Sequence, residues 1–263
     1  MSAYLTVFLA SILASCLTLY SGFGLGTLLL PIYSLFFPIE VAIGATAIVH
    51  AANNAFKMAV VGRYADKTLL VRFGIPAILA AFAGAAMLGY FSHFAEIARY
   101  SLGSREAVIT PVKLAIAVLM FSFSLFELLP NLRKLKFDRK YLVIGGLLSG
   151  FFGGFSGHQG ALRSAFLVKV GISTEAFAGT NAAIGFMVDM VRITTYAALF
   201  LATGSYHFAD AGQWPLIVTG IAAAFSGVII GRRYLHKITM KTVQTITGIF
   251  LLGIAIALGS GIM

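Results

Sequence analysis

Two apolar stretches, residues 4–37 and 142–172, are too long to be single membrane crossings. As straight helices each would measure over ~45 Å, against a hydrocarbon core of ~30 Å. Glycines interrupt both: Ser21-Gly22-Phe23-Gly24-Leu25-Gly26 in the first, and Gly150, Gly153, Gly154, Gly157 and Gly160 around Ser156-Gly157-His158-Gln159 in the second. Each stretch therefore reads as two short helices joined by an opened turn. Further apolar segments fall at about 39–62, 70–92, 111–129, 174–203, 213–231 and 242–262, each suited to one crossing. With 59% hydrophobic and 11% charged residues, against ~25% charged in soluble domains, an ordinary globular interior is excluded. The expected fold is an all-α integral membrane protein with a single transmembrane domain over residues 1–263.

The net charge of +10 raises the question of nucleic acid, but the basic residues sit in short clusters between apolar runs, where membrane topology explains them. No nucleic-acid partner is expected. Cytoplasmic loops carry excess Lys and Arg, so Arg63, Lys67, Arg72, then Arg133, Lys134, Lys136, Arg139, Lys140, then Arg232, Arg233, Lys237, Lys241 belong inside. The 93–113 connection offsets Arg99, Arg105 and Lys113 with Glu96 and Glu106, and 204–212 has no Lys or Arg, so both belong outside. Segment 174–203 then runs outward, and 142–172 enters and leaves on the cytoplasmic side as a hairpin. A matching hairpin at 4–37 puts both termini outside the cytoplasm of a prokaryotic-type inner membrane. Leu13-Ala14-Ser15-Cys16 superficially suggests a lipoprotein signal; no Lys or Arg precedes Lys57 and the apolar run continues past Cys16, so retention of the N-terminus is expected. Cys16 is the one cysteine, which rules out an intrachain disulfide and a multi-cysteine metal site.

The chain also aligns with itself. An offset of 135 residues pairs Ser21-Gly22 with Ser156-Gly157, Glu40 with Glu175, Gly44 with Gly179, Ala47 with Ala182, Asn54 with Asp189 and Lys57 with Arg192. After an eight-residue insertion, Ala80-Ala81-Phe82-Ala83-Gly84 meets Ala223-Ala224-Phe225-Ser226-Gly227. Repeat 1 covers about 4–129 and repeat 2 about 142–262, each a glycine-broken hairpin plus three transmembrane helices. That odd number of crossings makes the repeats inverted, the architecture that supports alternating access in secondary transporters.

At these hairpins the sequence resembles the TauE/SafE family of sulfite and organosulfonate exporters. The family's pattern is a Gly-rich turn, a Pro several residues on, and a Gly-Thr-containing segment opening the next helix, once per half. The first copy matches at Gly22, Gly24, Gly26, Pro31 and Gly44, with Ala45 before Thr46; the second matches at Gly157, Gly160 and Gly179-Thr180. Phe166 stands where the Pro would be, and His158, Gln159 and Arg163 bring polar groups where the pattern is glycine and apolar. The resemblance implies anion export, often of sulfur-containing anions, without naming the anion.

The residues themselves point to an anion site. The second half-helices, starting near Gly24 and Gln159, present unpaired N–H groups and a positive dipole end, which bind oxyanions. Ser21, Gly22, Gly24, Ser156, Gly157, His158 and Gln159 are the expected substrate contacts, with Arg163 one turn beyond as a bidentate partner for a sulfonate or carboxylate. The plainer reading of the glycines is close helix packing, and that of Arg163 is capping or snorkelling. Asn54, Lys57, Asp189, Arg192 and His50 are candidates for the pathway or for coupling to a proton or sodium; Asp189 with Arg192 at i+3 also reads as a structural ion pair. Glu40 and Glu175 read as helix-start residues. His158 has no second ligand at metal-binding spacing, so neither metal nor cofactor is expected. The expected function, its direction implied by the resemblance, is a secondary exporter of sulfite, an organosulfonate or a related oxyanion. An anion channel and a permease for a non-sulfur carboxylate are the alternatives; enzyme signatures are missing from the sequence, and a homodimer is compatible with it.

Overall fold

The computed structural model describes residues 2–21, 25–103, 105–135, 137–203, 213–234 and 240–263. In chain order the elements are α1 (Ser2–Ser21), α2 (Leu25–Tyr33), α3 (Ile39–Val61), α4 (Lys67–Leu69), which continues through a π-helical turn at Leu70–Gly74 into α5 (Ile75–Phe91), and a hairpin of β1 (Ala98–Leu102) and β2 (Arg105–Ile109). There follow α6 (Pro111–Leu128), α7 (Pro130–Arg133), α8 (Leu142–Ser156), α9 (Gly160–Leu167), α10 (Thr174–Thr203), α11 (Trp214–Tyr234) and α12 (Met240–Gly259). Local chemistry sets several starts. Asp66 caps α4 by accepting from Leu69 N at 3.0 Å, and Thr110 accepts from Lys113 N at 3.2 Å ahead of Pro111.

Both overlong apolar stretches are broken helix pairs. α8 ends at Gly157, whose φ of +83° places it in the left-handed region, where a side chain is strained. Its N–H returns to Gly153 O at 2.9 Å, closing α8 before α9 begins. In the first stretch α1 closes at Ser21 and α2 opens at Leu25; residues 22–24 lie outside the described residues.

The membrane class is plain in where side chains point. Among the described residues four helical spans are long and apolar enough to cross a bilayer: Lys67–Phe91, Pro111–Leu128, Thr174–Leu199 and Trp214–Arg233. Large apolar side chains such as Leu9, Leu13, Leu79, Val118, Ile229 and Ile256 are exposed on the exterior, while Asn53, Asn54, Lys57, Asp189 and Arg192 are buried. That inside-out distribution suits a lipid solvent.

Tight helix contacts use small residues. α5 lies along α8, and a Cβ added at Gly146, Gly150 or Gly154 would fall 2.4, 2.0 and 2.1 Å from the carbonyl oxygens of Phe73, Ala77 and Ala81. Gly84 faces Phe151 O in the same way. These glycines pack backbones together, as small residues do in membranes. α1 lies along α11, with Gly227 against Ile12 O, and α3 runs with α10 and α6 with α12. In the expected repeat α1 corresponds to α8 and, after the eight-residue insertion, α5 to α11, so each of these two contacts would join one half to the other.

The β-hairpin is an addition to the helical expectation. Ala98 pairs with Ile109 and Leu102 with Arg105, around a turn in which Gly103 has φ +62°. Gly103-Ser104 between two five-residue runs is a hairpin signature, masked in sequence by the charge-based reading of this connection. Val108 N donates to Gly261 O at 2.9 Å, and the Tyr100 hydroxyl donates to Ser260 O, tying the hairpin to the end of α12.

Candidate functional site

Polar side chains from three elements meet inside the bundle. α3 contributes His50, Asn54 and Lys57 at i, i+4 and i+7, one face of a helix. α10 contributes Asn181, Asp189 and Arg192, and the second break contributes Gln159 and Arg163. All of these are at most 5% exposed.

Asp189 is the hub. Its Oδ2 lies 2.6 Å from His50 Nδ1 and accepts from Asn54 Nδ2 at 3.1 Å. Its Oδ1 accepts from Gln159 Nε2 at 3.2 Å and lies 3.0 Å from Arg192 Nη2. A carboxylate can only accept, so Nδ1 is the protonated nitrogen of His50. Gln159 in turn takes a hydrogen bond on Oε1 from Arg163 Nη1 at 2.8 Å, and Arg163 Nε donates to Asn181 Oδ1 at 2.5 Å. The order Asn181, Arg163, Gln159, Asp189 is one continuous chain in which Arg163 is committed.

Arg192 is not committed in this way. It is completely buried, and none of Nε, Nη1 and Nη2 has an acceptor in good hydrogen-bond geometry; its polar neighbours are the Asp189 carboxylate, 3.0 Å from Nη2, and the Tyr196 hydroxyl. The Tyr196 hydroxyl lies beside it and donates to Gly154 O. The guanidinium sits against the second helix break, so that a Cβ at Gly157 would fall 2.3 Å from Nη1. A Cβ at Gly26, in the first turn of α2, would lie 3.4 Å from Gly157 O, 3.5 Å from Thr46 Cγ2 and 3.9 Å from Arg192 Nη2. The start of α2, the α8–α9 turn and Arg192 therefore converge. Thr46 Oγ1 is also buried there without a partner.

The remaining candidates are placed around this centre. Lys57 Nζ donates to Thr18 O and Thr18 Oγ1, both at 3.2 Å, neutralising the carbonyl end of α1. His158 stacks on Phe123 with centroids 5.4 Å apart, its Nδ1 is 2.9 Å from Ser156 Oγ, and its Nε2 is buried without a partner. Ser156 Oγ donates to Phe152 O at 3.2 Å. Ser21 closes α1, its side chain and residues Gly22 and Gly24 lying outside the described residues. Glu40 and Glu175 occupy the first turns of α3 and α10.

Electrostatically the cluster is lopsided: among the described residues Lys57, Arg163 and Arg192 are buried in it beside one carboxylate, Asp189, also buried. Burying unpaired charge is expensive, and in membranes each such group costs at least ~2.5 kcal/mol. Sequence reasoning did not single out Thr46, Asn181 or Tyr196. Thr46 and Asn181 are themselves 135 residues apart, so the repeat held a signal for both.

Residues 7–258 match the protein-family model described as Sulfite exporter TauE/SafE. No curated protein matches the chain at a significant level.

Proposed function

The chain belongs to the sulfite exporter TauE/SafE family, and from that premise we propose that it exports a small sulfur oxyanion, sulfite or an organosulfonate, binding it at Arg192 between the two helix breaks. The observation that carries this reading is the buried guanidinium of Arg192, set against the second helix break with no nitrogen in good hydrogen-bond geometry to an acceptor. Arginine stays protonated, and its planar fork matches two oxygens of a sulfite or sulfonate. The first-turn amides of α2 and α9 supply further donors at positive helix ends. Gly26 and Gly157 keep side chains out of the space that the anion enters.

Movement follows from the pairing of halves. α1 with α11 and α8 with α5 are tightly packed units, and inverted halves rocking about the α3 and α10 contact would open the site to one side and then the other. The protein sits in the inner membrane with both termini outside the cytoplasm, in keeping with its basic clusters. Lys57, Asn54 and His50 line the same interior and shape the path to the site.

The test is counterflow of 35S-sulfite in proteoliposomes, run beside thermal unfolding of the purified protein with sulfite, taurine, sulfate and acetate. Saturable exchange and stabilisation by sulfite or taurine, both lost in Arg192→Gln, are expected. Conduction without saturation identifies a channel, stabilisation by acetate alone identifies a carboxylate permease, and an Arg192→Gln variant that behaves like the parent removes the proposed site.

A further inference from the structure

Among the described residues Asp189 is the carboxylate that meets the buried Arg192, and the way it is held points beyond a structural ion pair. Its approach to Arg192 at 3.0 Å lacks hydrogen-bond geometry on any Arg192 nitrogen. It simultaneously contacts three other donors, His50, Asn54 and Gln159. A carboxylate so supplied can give up the guanidinium without being left a bare buried acceptor, the situation that carries the heavy penalty. Arg192 has the opposite profile, since loss of Asp189 would leave it with no anion at all.

Resting on the carrier reading above, we propose that Asp189 is a built-in counter-anion that stands in for the substrate at Arg192 in the empty protein and is displaced from it when the anion arrives. In the empty state Arg192 keeps a counter-charge, so this guanidinium does not reorient through low-dielectric surroundings as a bare ion. In the loaded state the substrate takes the guanidinium fork, and His50, Asn54 and Gln159 retain the carboxylate. The first half has no equivalent: Asn54 occupies the position matching Asp189, and Lys57, matching Arg192, is satisfied by Thr18 at the end of α1. The switch therefore resides in one half only.

Two substitutions with opposite expected signs test this. Asp189→Asn removes the competitor, so 35S-sulfite should bind the purified protein about tenfold tighter or more, the scale on which close buried charge pairs couple. In proteoliposomes its net efflux should fall further than its exchange, because only net efflux needs the empty site to return. Asn54→Leu takes a donor from the carboxylate, which then holds Arg192 harder; sulfite affinity should fall about fivefold or more, the scale of one hydrogen bond to a charged group. Should Asp189→Asn not yield folded protein, the Asn54→Leu arm decides alone. Equal or weaker binding in Asp189→Asn, a proportional fall of exchange and net efflux, or undiminished affinity in Asn54→Leu overturns the counter-anion role while the parent's sulfite binding keeps the carrier reading standing. A parent protein that binds no anion overturns both.

Discussion

Replacing Gly157 by alanine separates backbone strain from the chemistry of the site, because a second glycine serves as its control. Gly157 and Gly171 have φ of +83° and +77°, so alanine pays about the same left-handed penalty at either, roughly 1–2 kcal/mol. For a chain this size that corresponds to a fall in melting temperature of about 2–8 °C. The surroundings differ. A Cβ at Gly171 meets nothing within 4 Å, whereas one at Gly157 meets Arg192 Nη1 at 2.3 Å. To regain ordinary contact the guanidinium must retreat by about 1 Å, which spoils a fork geometry set to a few tenths of an ångström. Suppose sulfite is supplied at about 100 times its Kd, where binding stabilises by about 2.7 kcal/mol; a tenfold weaker site at the same concentration keeps only about 1.4 kcal/mol. Thermal unfolding with and without sulfite should thus show a ligand-free loss for Gly157→Ala at least as large as that for Gly171→Ala, and a roughly halved ligand shift for Gly157→Ala alone. A full ligand shift in Gly157→Ala, or a halved one in Gly171→Ala, refutes the placement of the anion at this turn.

Other substitutions probe the frame. Gly150→Ala puts a methyl 2.0 Å from Ala77 O and should wedge α5 from α8, costing about 1–3 kcal/mol in unfolding experiments; Gly253→Ala in α12, where a Cβ meets nothing within 4 Å, should stabilise by about 0.5–1 kcal/mol. Arg163→Ala strands the buried oxygens of Asn181 and Gln159 and should cost about 2–4 kcal/mol, visible as a lower melting temperature without ligand. At the β-hairpin the Arg99 guanidinium holds the Glu96 carboxyl below its usual range. A depressed carboxylate contributes above its unfolded pKa and loses that contribution as pH falls through its folded one. Protection of the hairpin amides, taken as the ratio of the unstructured rate to the observed rate at each pH, should therefore fall on acidification, and in Glu96→Gln it should already be lower at neutral pH; a hairpin indifferent to both removes the role of this pair.

Much of the architecture is legible in the sequence because lipid imposes length. Length alone does not divide the runs, since 174–203 is within one residue of 142–172 yet forms the unbroken α10 over Thr174–Thr203; it lacks the dense glycines of 150–160. The runs at 4–37 and 142–172 exceed one crossing and contain glycines, and both are broken. The glycines divide by role only in three dimensions. Gly150 and Gly154 serve helix packing against α5, while Gly157 serves the turn at Arg192, and nothing in a Gly-rich string distinguishes the two.

The sequence by itself determined the membrane class, the broken helices and the family, since hydrophobic length, glycine spacing and a whole-chain match are properties of order along the chain. Which arginine is held in a hydrogen-bonded chain and which is not was decided only by tertiary structure. Arg163 and Arg192 are alike as charges in apolar segments, yet Asn181 and Gln159 occupy the first, and the second is left facing a helix break. Hydrogen-bond satisfaction depends on what other helices bring within about 3 Å, and residues as far apart as 50 and 189 meet only when the bundle closes.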